Sequence, residues 1–343
     1  MIELQNLTKR YGSTLAVDGL TFSVPEGRVT GFLGPNGAGK STTMRMMLGL
    51  DNPSAGEVRI DGHPYRQLHA PLREIGALLE AKAVHPGRTA YNHLLCLAQS
   101  NRIPRKRVSE VLELVGLGEV AKKRTKGFSL GMSQRLGIAA ALLGDPRIAL
   151  FDEPVNGLDP EGILWVRNLM KRLAADGRTV FVSSHLMSEM ALTAEHLIVI
   201  GRGRLLADLP MNEFIRRNSR SYVRVRTPQG ERMQDVLAAL PGARVTGAAD
   251  GSLEVEEAEA AAIGEAAAAA GIPLHELSPQ SASLEEAFMQ LTAESVQYHA
   301  GTGEPPQAPP GIPPGTPPGM PPGTPPPPAP GGWMGNGNGE VTR

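Results

Sequence analysis

One short segment near the start of the chain has the residue types and spacing needed to hold a polyphosphate. It consists of Gly34, Pro35, Asn36, Gly37, Ala38, Gly39, Lys40, Ser41 and Thr42. Because an apolar run precedes it and a helical pattern follows it, the segment is predicted to turn from a strand into a helix. Its glycines let backbone N–H groups point inward, and the helix start adds unpaired N–H groups and a positive dipole end.

These features predict a phosphate-binding loop for a nucleoside triphosphate. In such a loop Lys40 reaches the β- and γ-phosphates, and the Ser41 hydroxyl binds a Mg²⁺ ion that bridges the same two groups. The alternative is a glycine-rich turn in which the lysine and serine occur by chance. The strand before the segment and the helix after it favour the phosphate-binding loop.

A pair of carboxylates, Asp152 and Glu153, directly follows the apolar run 148–151, which is typical of a parallel strand buried on both faces. We expect Asp152 to hold Mg²⁺ through water and Glu153 to polarise the attacking water as a general base. The alternative is a solvated strand end. His185 ends another predicted strand, 179–182, where a contact with the γ-phosphate competes with a structural role.

Strands and helices alternate along the first two thirds of the chain, which predicts an α/β fold with a mostly parallel sheet and the ligand at the carboxyl ends of its strands. Between 85 and 145 the pattern is helical, which predicts a helical subdomain inserted into this core. Tyr11 is predicted to lie in a tight turn, 9–12. Its ring could stack on a purine, and simple packing of the turn is the alternative.

Composition limits the classes of protein that this chain can be. Its 343 residues suffice for two domains and a tail, and 34 basic against 35 acidic residues give a net charge of -1, which does not suggest a surface for nucleic acid. The single cysteine, Cys96, fits a reducing compartment. The start of the chain does not resemble a signal peptide and no apolar run is long enough to span a membrane, so we expect a chain that does not cross a membrane.

The composition changes after Pro210. Residues 222–277 follow a β-α-β-β-α-β pattern, which predicts a small ferredoxin-like α+β domain, and a capped helix follows at 283–292. From Gly301 onward the chain is rich in proline and glycine and is predicted to be disordered, with docking into an aromatic groove as the alternative. The predicted boundaries are 1–215 for the α/β domain, 216–297 for a regulatory or accessory domain and 298–343 for the tail.

Five motifs, taken in order, resemble those of a known family. They are the phosphate-binding loop, FSLGMSQR at 128–135, LFDEP at 150–154, NGLD at 156–159 and Ser184-His185. Together they resemble the nucleotide-binding subunit of an ABC transporter over about residues 1–210. The resemblance implies a P-loop ATPase core. The spacing from Lys40 to Asp152 leaves room for a helical subdomain but not for the long coiled coil of DNA-repair relatives.

The resemblance gives roles to residues that the sequence alone does not. It implies that two copies close head to tail around two ATP molecules, so that Ser129 and Gly131 of one copy meet the γ-phosphate held by the other. It also implies that Asp159 links the two sites, that Tyr11 stacks on adenine and that His185 contacts the γ-phosphate. Without it, the segment 129–135 is only the capped start of an amphipathic helix.

Three positions depart from the usual family pattern. Leu130 stands where the signature has a second glycine, and Met132 stands where it has a glutamine. Glu80 stands where a Mg²⁺-binding glutamine is expected, and its carboxylate could still ligate the metal although it adds charge near the triphosphate. This last variant resembles the bacterial exporters of bacitracin, lantibiotics and related antibiotics.

The phosphate-binding loop and the carboxylate pair thus predict an ATPase that uses ATP and Mg²⁺. The resemblance implies that it forms a homodimer or a dimer with a similar subunit and drives a separate integral-membrane permease, with export of a drug or antibiotic as the expected task. We expect it in the cytoplasm, peripheral on the inner face of the cell membrane, and we expect no nucleic-acid partner. Two alternatives remain open: a soluble ABC-type ATPase acting on ribosomes or DNA, and an ATP-sensing module that does not hydrolyse ATP.

Overall fold

A six-stranded sheet supports the phosphate-binding loop and the two carboxylates in the computed structural model, which describes residues 1–80, 83–218, 221–280 and 283–292. In spatial order its strands are β5 (Ile75–Leu78), β6 (Ile148–Asp152), β7 (Thr179–Ser183), β3 (Val29–Leu33), β8 (His196–Gly201) and β9 (Arg204–Pro210). The first five are parallel, and β9 pairs with β8 in the antiparallel direction. The predicted mostly parallel sheet is confirmed, whereas the predicted tail at 298–343 lies outside the described residues.

Both faces of this sheet are buried because alternate side chains of its strands enter two different hydrophobic clusters. Leu150 and Phe181 point into one cluster, whereas Phe151 and Val182 point into the other. Side chains alternate between the two faces of a strand, so a strand covered on both faces is apolar at most of its positions. That requirement explains why the central strands have continuous apolar sequences.

A three-stranded antiparallel sheet and the first helix cover one face. The sheet has the order β2 (Thr14–Val24), β1 (Ile2–Tyr11) and β4 (Ala55–Ile60), and the helix is α1 (Lys40–Met47). The turn predicted at 9–12 is wrong by a few residues. Tyr11 pairs with Thr14 in the β1–β2 ladder, so the strand continues through Tyr11 and the turn contains Gly12 and Ser13.

Helices cover the other face. They are α2 (Pro71–Glu74), α3 (Ala90–Ser100), α4 (Arg105–Leu114), α5 (Leu130–Leu142), α6 (Pro160–Ala175), α7 (Met187–Thr193) and α8 (Met211–Asn218). Of these, α3, α4 and α5 lie within 85–145, where a helical subdomain is predicted, and the subdomain itself stays a prediction. Apolar residues of α3, α4 and α5 share one cluster with the sheet. In the part of the chain that the structure describes, no helix is long and apolar enough to span a bilayer.

A second sheet follows, with helices on one side of it. Its elements are β10 (Tyr222–Arg226), α9 (Gly230–Ala238), β11 (Arg244–Gly247), β12 (Leu253–Glu256), α10 (Ala260–Ala269) and β13 (Glu276–Gln280). The strands lie in the order β11-β12-β10-β13, all neighbours are antiparallel, and the domain has its own apolar cluster. This is a ferredoxin-like arrangement.

The last described helix, α11 (Leu284–Thr292), returns to the α/β core. Leu284, Ala287 and Phe288 are buried in the cluster of the parallel sheet and not in that of the small domain. The helix packs against α8 and α7. The chain from 221 to 280 is therefore held to the core at both of its ends, and the boundaries at 215 and 297 stay predictions.

Candidate functional site

The phosphate-binding loop runs from the end of β3 into α1. Gly39 has φ +103°, and a Cβ atom there would lie 2.6 Å from the carbonyl oxygen of Ala16, so no other residue fits without movement of the backbone. The Lys40 Nζ donates to the carbonyl of Gly34 at 2.6 Å and to that of Pro35 at 3.3 Å. The loop thus curls around the lysine and the start of α1, as an anion-binding loop requires.

The Lys40 ammonium is buried in this loop. Burial lowers the pKa of Lys40 below its ordinary value, although the nearby Glu153 and Asp152 carboxylates oppose the shift. A triphosphate next to Lys40 would favour the charged form, because opposite charges at close range raise the pKa of a lysine. The loop is therefore better suited to an anionic ligand than to solvent alone.

Two hydroxyl groups hold the Asp152 carboxylate at the end of β6. The Ser41 Oγ donates to Oδ2 at 2.8 Å, and the Ser183 Oγ donates to Oδ1 at 2.5 Å. Ser183 pairs with Asp152 across the β6–β7 ladder and with Phe32 across the β3–β7 ladder, so the carboxyl ends of three strands are level. This register brings the predicted metal ligands of two distant segments together.

The donor set at this point suits Mg²⁺. Ser41 and Asp152 present hard oxygen atoms within hydrogen-bond distance of each other, beside a loop built for phosphates. Mg²⁺ is commonly held by one or two protein oxygens together with phosphate oxygens and water. Glu80 follows β5 and is exposed, and its neighbour Leu79 lines the cavity between these groups, so a metal-binding role for Glu80 stays a prediction.

Glu153 is fixed through both its side chain and its backbone. Its side-chain Oε2 lies 2.6 Å from the His185 Nδ1, and its backbone N–H donates to the Ser183 Oγ at 3.0 Å. The backbone of Glu153 is left-handed, with φ +50°, which is uncommon for a residue with a side chain. Such conformations persist where the surroundings determine them, and they occur often at functional sites.

An open cavity of about 330 Å³ joins these parts. It is lined by Ala16, the loop residues Asn36, Gly37, Ala38, Gly39, Lys40, Ser41 and Thr42, and by Leu79, Asp152 and Glu153. The loop and the two carboxylates thus lie around one space, as their motifs predict. Gly34 is not among the lining residues, but its carbonyl accepts a hydrogen bond from Lys40, while His185 reaches the site through Glu153.

Tyr11 lies at the end of β1 with 48% of its surface exposed. Its hydroxyl donates to the Asp51 Oδ2 at 2.9 Å, and Arg45 binds the same carboxylate from α1. The Lys9 Nζ lies 4.8 Å from the centre of the ring. The ring is therefore held in place while exposed, which suits stacking on a base.

Three residues that the resemblance places between two copies of the chain are not among those that line this cavity. Ser129 caps α5, where its Oγ accepts from the N–H of Met132 at 3.2 Å, and Asp159 caps α6, where its Oδ1 accepts from the N–H of Gly162 at 2.9 Å. Gly131 lies in the first turn of α5 beside Leu158. Within one chain these residues build helix starts, and their contacts with nucleotide stay predictions.

The structure gives roles to three residues to which the sequence analysis assigned none. Ala16 lines the cavity, Ser183 binds both Asp152 and Glu153, and Gln134 donates to the carbonyl oxygen of Glu153 at 2.9 Å. Ser183 could have been found from its position at the end of a strand next to β6. Gln134 could not, because nothing in the pattern of α5 shows which buried residue contacts a distant backbone oxygen.

Comparisons with known proteins identify the family of this chain. The family model described as ABC transporter matches residues 17–156. The bacitracin transport ATP-binding protein BcrA of Bacillus licheniformis is 44% identical over a region that covers 65% of this chain and 74% of the relative. The chain belongs to the ABC transporter ATP-binding protein family. The resemblance seen in the five motifs is thereby confirmed.

Other matches of this ABC transporter chain point the same way. The lantibiotic transport ATP-binding protein SrtF of Streptococcus pyogenes is 35% identical over 61% of this chain and 90% of the relative. A solved dimeric ATP-binding cassette in a post-hydrolysis state, bound to ADP and Pi, matches with a TM-score of 0.57 and 29% identity over 62% of this chain and 99% of its own. The P-loop ATPase fold and the prediction of a transport ATPase are confirmed.

The small domain has a separate match. Residues 221–285 match a family described only as a domain of unknown function. The match covers the ferredoxin-like sheet and reaches the start of α11. It therefore supports treating this sheet as a recurring unit but adds no function to it.

Proposed function

We propose that this ABC transporter subunit binds ATP with Mg²⁺, hydrolyses it as one half of a dimer, and uses the cycle to drive a separate membrane permease that exports an antibiotic or a similar drug. The observation that carries the proposal is the meeting of the phosphate-binding loop, Asp152 and Glu153 around one cavity. Tyr11, held exposed by Asp51, is the base-stacking residue in this proposal.

Within the site, each side chain has a task that its geometry supports. Lys40 and the backbone N–H groups of the loop bind the triphosphate, and Ser41 with Asp152 holds Mg²⁺, which would neutralise charge on the β- and γ-phosphates. Glu153 polarises the attacking water as a general base. Its hydrogen bond with His185 fixes the carboxylate, and it places the imidazole near the γ-phosphate end of the site.

A dimer explains why three family residues do not line the cavity of their own chain. Ser129 and Asp159 begin α5 and α6, and both helix starts carry the N–H groups and dipole that favour an anion. In a head-to-tail pair, Ser129 and Gly131 would meet the γ-phosphate of the opposite site. Dimeric solved relatives of the cassette support this arrangement.

The cargo and the membrane partner are inferred from relatives. BcrA and SrtF are named for transport of bacitracin and of a lantibiotic, and both are ATP-binding proteins of transporters. A permease encoded separately and a place at the inner face of the cell membrane follow from that likeness. In a transport cycle, ATP would favour the closed dimer over the open one, and that difference in affinity would drive the permease.

The decisive experiment neutralises the base. Glu153→Gln should keep ATP binding and lower turnover by roughly 100-fold or more, because general-base catalysis contributes about that much. Glu119→Gln is the matched control, since Glu119 is a glutamate in the loop after α4, outside the residues that line the site. Normal turnover in Glu153→Gln would remove Glu153 from the mechanism.

A second pair of variants tests the phosphate-binding loop and the dimer. Lys40→Ala should abolish ATP binding, whereas Lys171→Ala, which changes an exposed lysine of α6, should not. With ATP and Mg²⁺, Glu153→Gln should sediment as a dimer, and the added change Ser129→Ala should weaken that dimer. A chain that stays monomeric under these conditions would refute the head-to-tail arrangement.

A further inference from the structure

Gln134 is a buried polar residue whose side chain reaches the proposed catalytic base from a neighbouring helix. Only 3% of its surface is exposed, and its Nε2 donates to the backbone carbonyl of Glu153 at 2.9 Å. Burying an amide group without a hydrogen bond lowers the stability of the folded protein. The hydrogen bond to Glu153 therefore explains how a glutamine can lie among the apolar residues of α5.

The oxygen that Gln134 binds belongs to a residue in an unfavourable backbone conformation. Glu153 has φ +50°, its N–H donates to Ser183, and its carbonyl also accepts from the N–H of Asn156 at 3.1 Å. The backbone N–H and carbonyl of Glu153 are therefore both hydrogen-bonded. Among the described residues, Gln134 provides the only side-chain hydrogen bond to this carbonyl. Loss of this bond would leave the direction of the Glu153 side chain less determined.

Helix α5 connects Gln134, and through it the Glu153 carbonyl, to the residues at the start of the helix. Ser129 caps the helix, Leu130 packs against Gly157, and Gly131 lies beside Leu158. Asn156 and the two residues after it form the loop that leads to α6. The carbonyl oxygen of Glu153 is thus the point at which β6, α5 and this loop are hydrogen-bonded to one another.

We propose that Gln134 is a positioning residue for ATP hydrolysis: its amide holds the Glu153 backbone so that the carboxylate faces the attacking water, and it makes that placement depend on the position of α5. The inference rests on the proposed function, in which Glu153 is the general base. Because Ser129 begins the same helix, a shift of α5 when the opposite nucleotide binds would be transmitted to Glu153 through this bond.

The test compares variants of Gln134 with a control on the same helix. Gln134→Met keeps the length of the side chain but removes the donor. It should lower kcat by about 10- to 100-fold, the size of effect expected when a catalytic group is misplaced by about 1 Å, while KM for ATP stays within about 2-fold. The control Ile138→Val removes one buried methyl group a turn further along α5 and should leave kcat unchanged.

A second variant separates positioning from a structural role. In Gln134→Glu a protonated carboxyl can donate to the Glu153 carbonyl, whereas an ionised one repels it. Burial raises the pKa of a carboxyl. The ratio of kcat in Gln134→Glu to kcat in the wild type should therefore rise as pH falls from about 8 to about 6, while the ratio for Gln134→Met stays flat.

Three results would overturn the inference: wild-type kcat in Gln134→Met, an equal loss of kcat in Ile138→Val, or a pH-independent ratio in Gln134→Glu. If Gln134→Met does not fold, the pH ratio of Gln134→Glu alone decides. Failure of the proposed function looks different, since it would appear as normal turnover in Glu153→Gln. A normal Gln134→Met beside an inactive Glu153→Gln refutes only the role of Gln134.

Discussion

The Leu130 side chain occupies the space that a side chain on Gly157 would need, and this predicts how substitution of either residue changes the stability of the chain. A Cβ atom on Gly157 would lie 2.1 Å from the Leu130 Cδ2 and 2.6 Å from its Cγ, far inside ordinary contact distance. Leu130 stands where the family signature has glycine. The leucine is therefore accommodated because its neighbour in the loop before α6 has no side chain, and Gly157→Ala should be more costly while Leu130 is present.

The expected loss of stability in Gly157→Ala has two parts. Gly157 has φ +73°, so an alanine there should cost about 1–2 kcal/mol of stability for the left-handed backbone alone. Leu130 is 42% exposed and can rotate away from the new methyl group, which should add about 0.5–1.5 kcal/mol for a strained rotamer. After Leu130→Ala only the backbone cost remains. The coupling between the two changes should therefore be about 0.5–1.5 kcal/mol.

The assay is urea unfolding of the wild type, the two single variants and the double variant. Trp165 lies on α6, with the guanidinium of Arg135 from α5 at 4.7 Å from its ring, so its fluorescence reports on this region. The chain has two tryptophans, and the background change Trp333→Phe leaves Trp165 as the reporter. Gly177→Ala is the matched control, because Gly177 has φ +83° and no atom lies within 4 Å of the position that a Cβ would occupy there.

The control should show the backbone cost alone and should not depend on Leu130. Additivity of Leu130→Ala and Gly157→Ala within about 0.3 kcal/mol would refute the steric pairing, because independent sites add to that precision. A coupling of the opposite sign would mean that the two residues interact through something other than this steric contact.

Three more perturbations have outcomes that the contacts of single residues predict. Gly76→Ala should lower the free energy of unfolding by about 3 kcal/mol, because its Cβ would lie 1.8 Å from the carbonyl oxygen of Ala141. The control Gly127→Ala has open space around the new methyl group and should change the free energy of unfolding by less than about 1 kcal/mol in the same assay. Burial lowers the pKa of Lys40 below 10.5, and bound triphosphate should raise it, so ATP binding should take up a proton at alkaline pH. The association constant for ATP, measured by calorimetry, should therefore fall as pH rises through the lowered pKa. Lys40→Arg should lose this pH dependence. Tyr11→Ala should weaken ATP binding by about 10-fold, in line with roughly 1–3 kcal/mol for stacking of a base on an aromatic ring. Tyr11→Phe keeps the ring and loses only the hydrogen bond to Asp51, so it should change the affinity for ATP less.

Much of the site could be predicted from the sequence because its main parts are local. The phosphate-binding loop and the pair Asp152-Glu153 each follow an apolar strand, and parallel strands place their carboxyl ends on one edge of a sheet. The order of strands and helices in the small domain is likewise visible in the sequence, because its turns carry glycine and its strands alternate. Local patterns of this kind require no knowledge of which segments meet.

Contacts between distant segments could not be predicted in this way. The strand β9 has no continuous apolar run, since it pairs at the edge of the sheet and is only partly buried, so its sequence does not mark it as a strand. The bond between Tyr11 and Asp51 spans 40 positions, and that between Gln134 and Glu153 spans 19. The return of α11 to the core depends on apolar side chains that would fit the small domain equally well by their types alone.

These distant contacts explain how the chain tolerates its departures from the family signature. Leu130 fits because Gly157 is small, and Met132 still offers the backbone N–H that Ser129 caps, since a cap bond needs no particular side chain at that position. The residues that replace the usual glycine and glutamine thus leave the start of α5 intact. The bond from Gln134 to Glu153 lies further along the same helix, so the connection between the helix start and the proposed catalytic carboxylate is kept although the signature itself has changed.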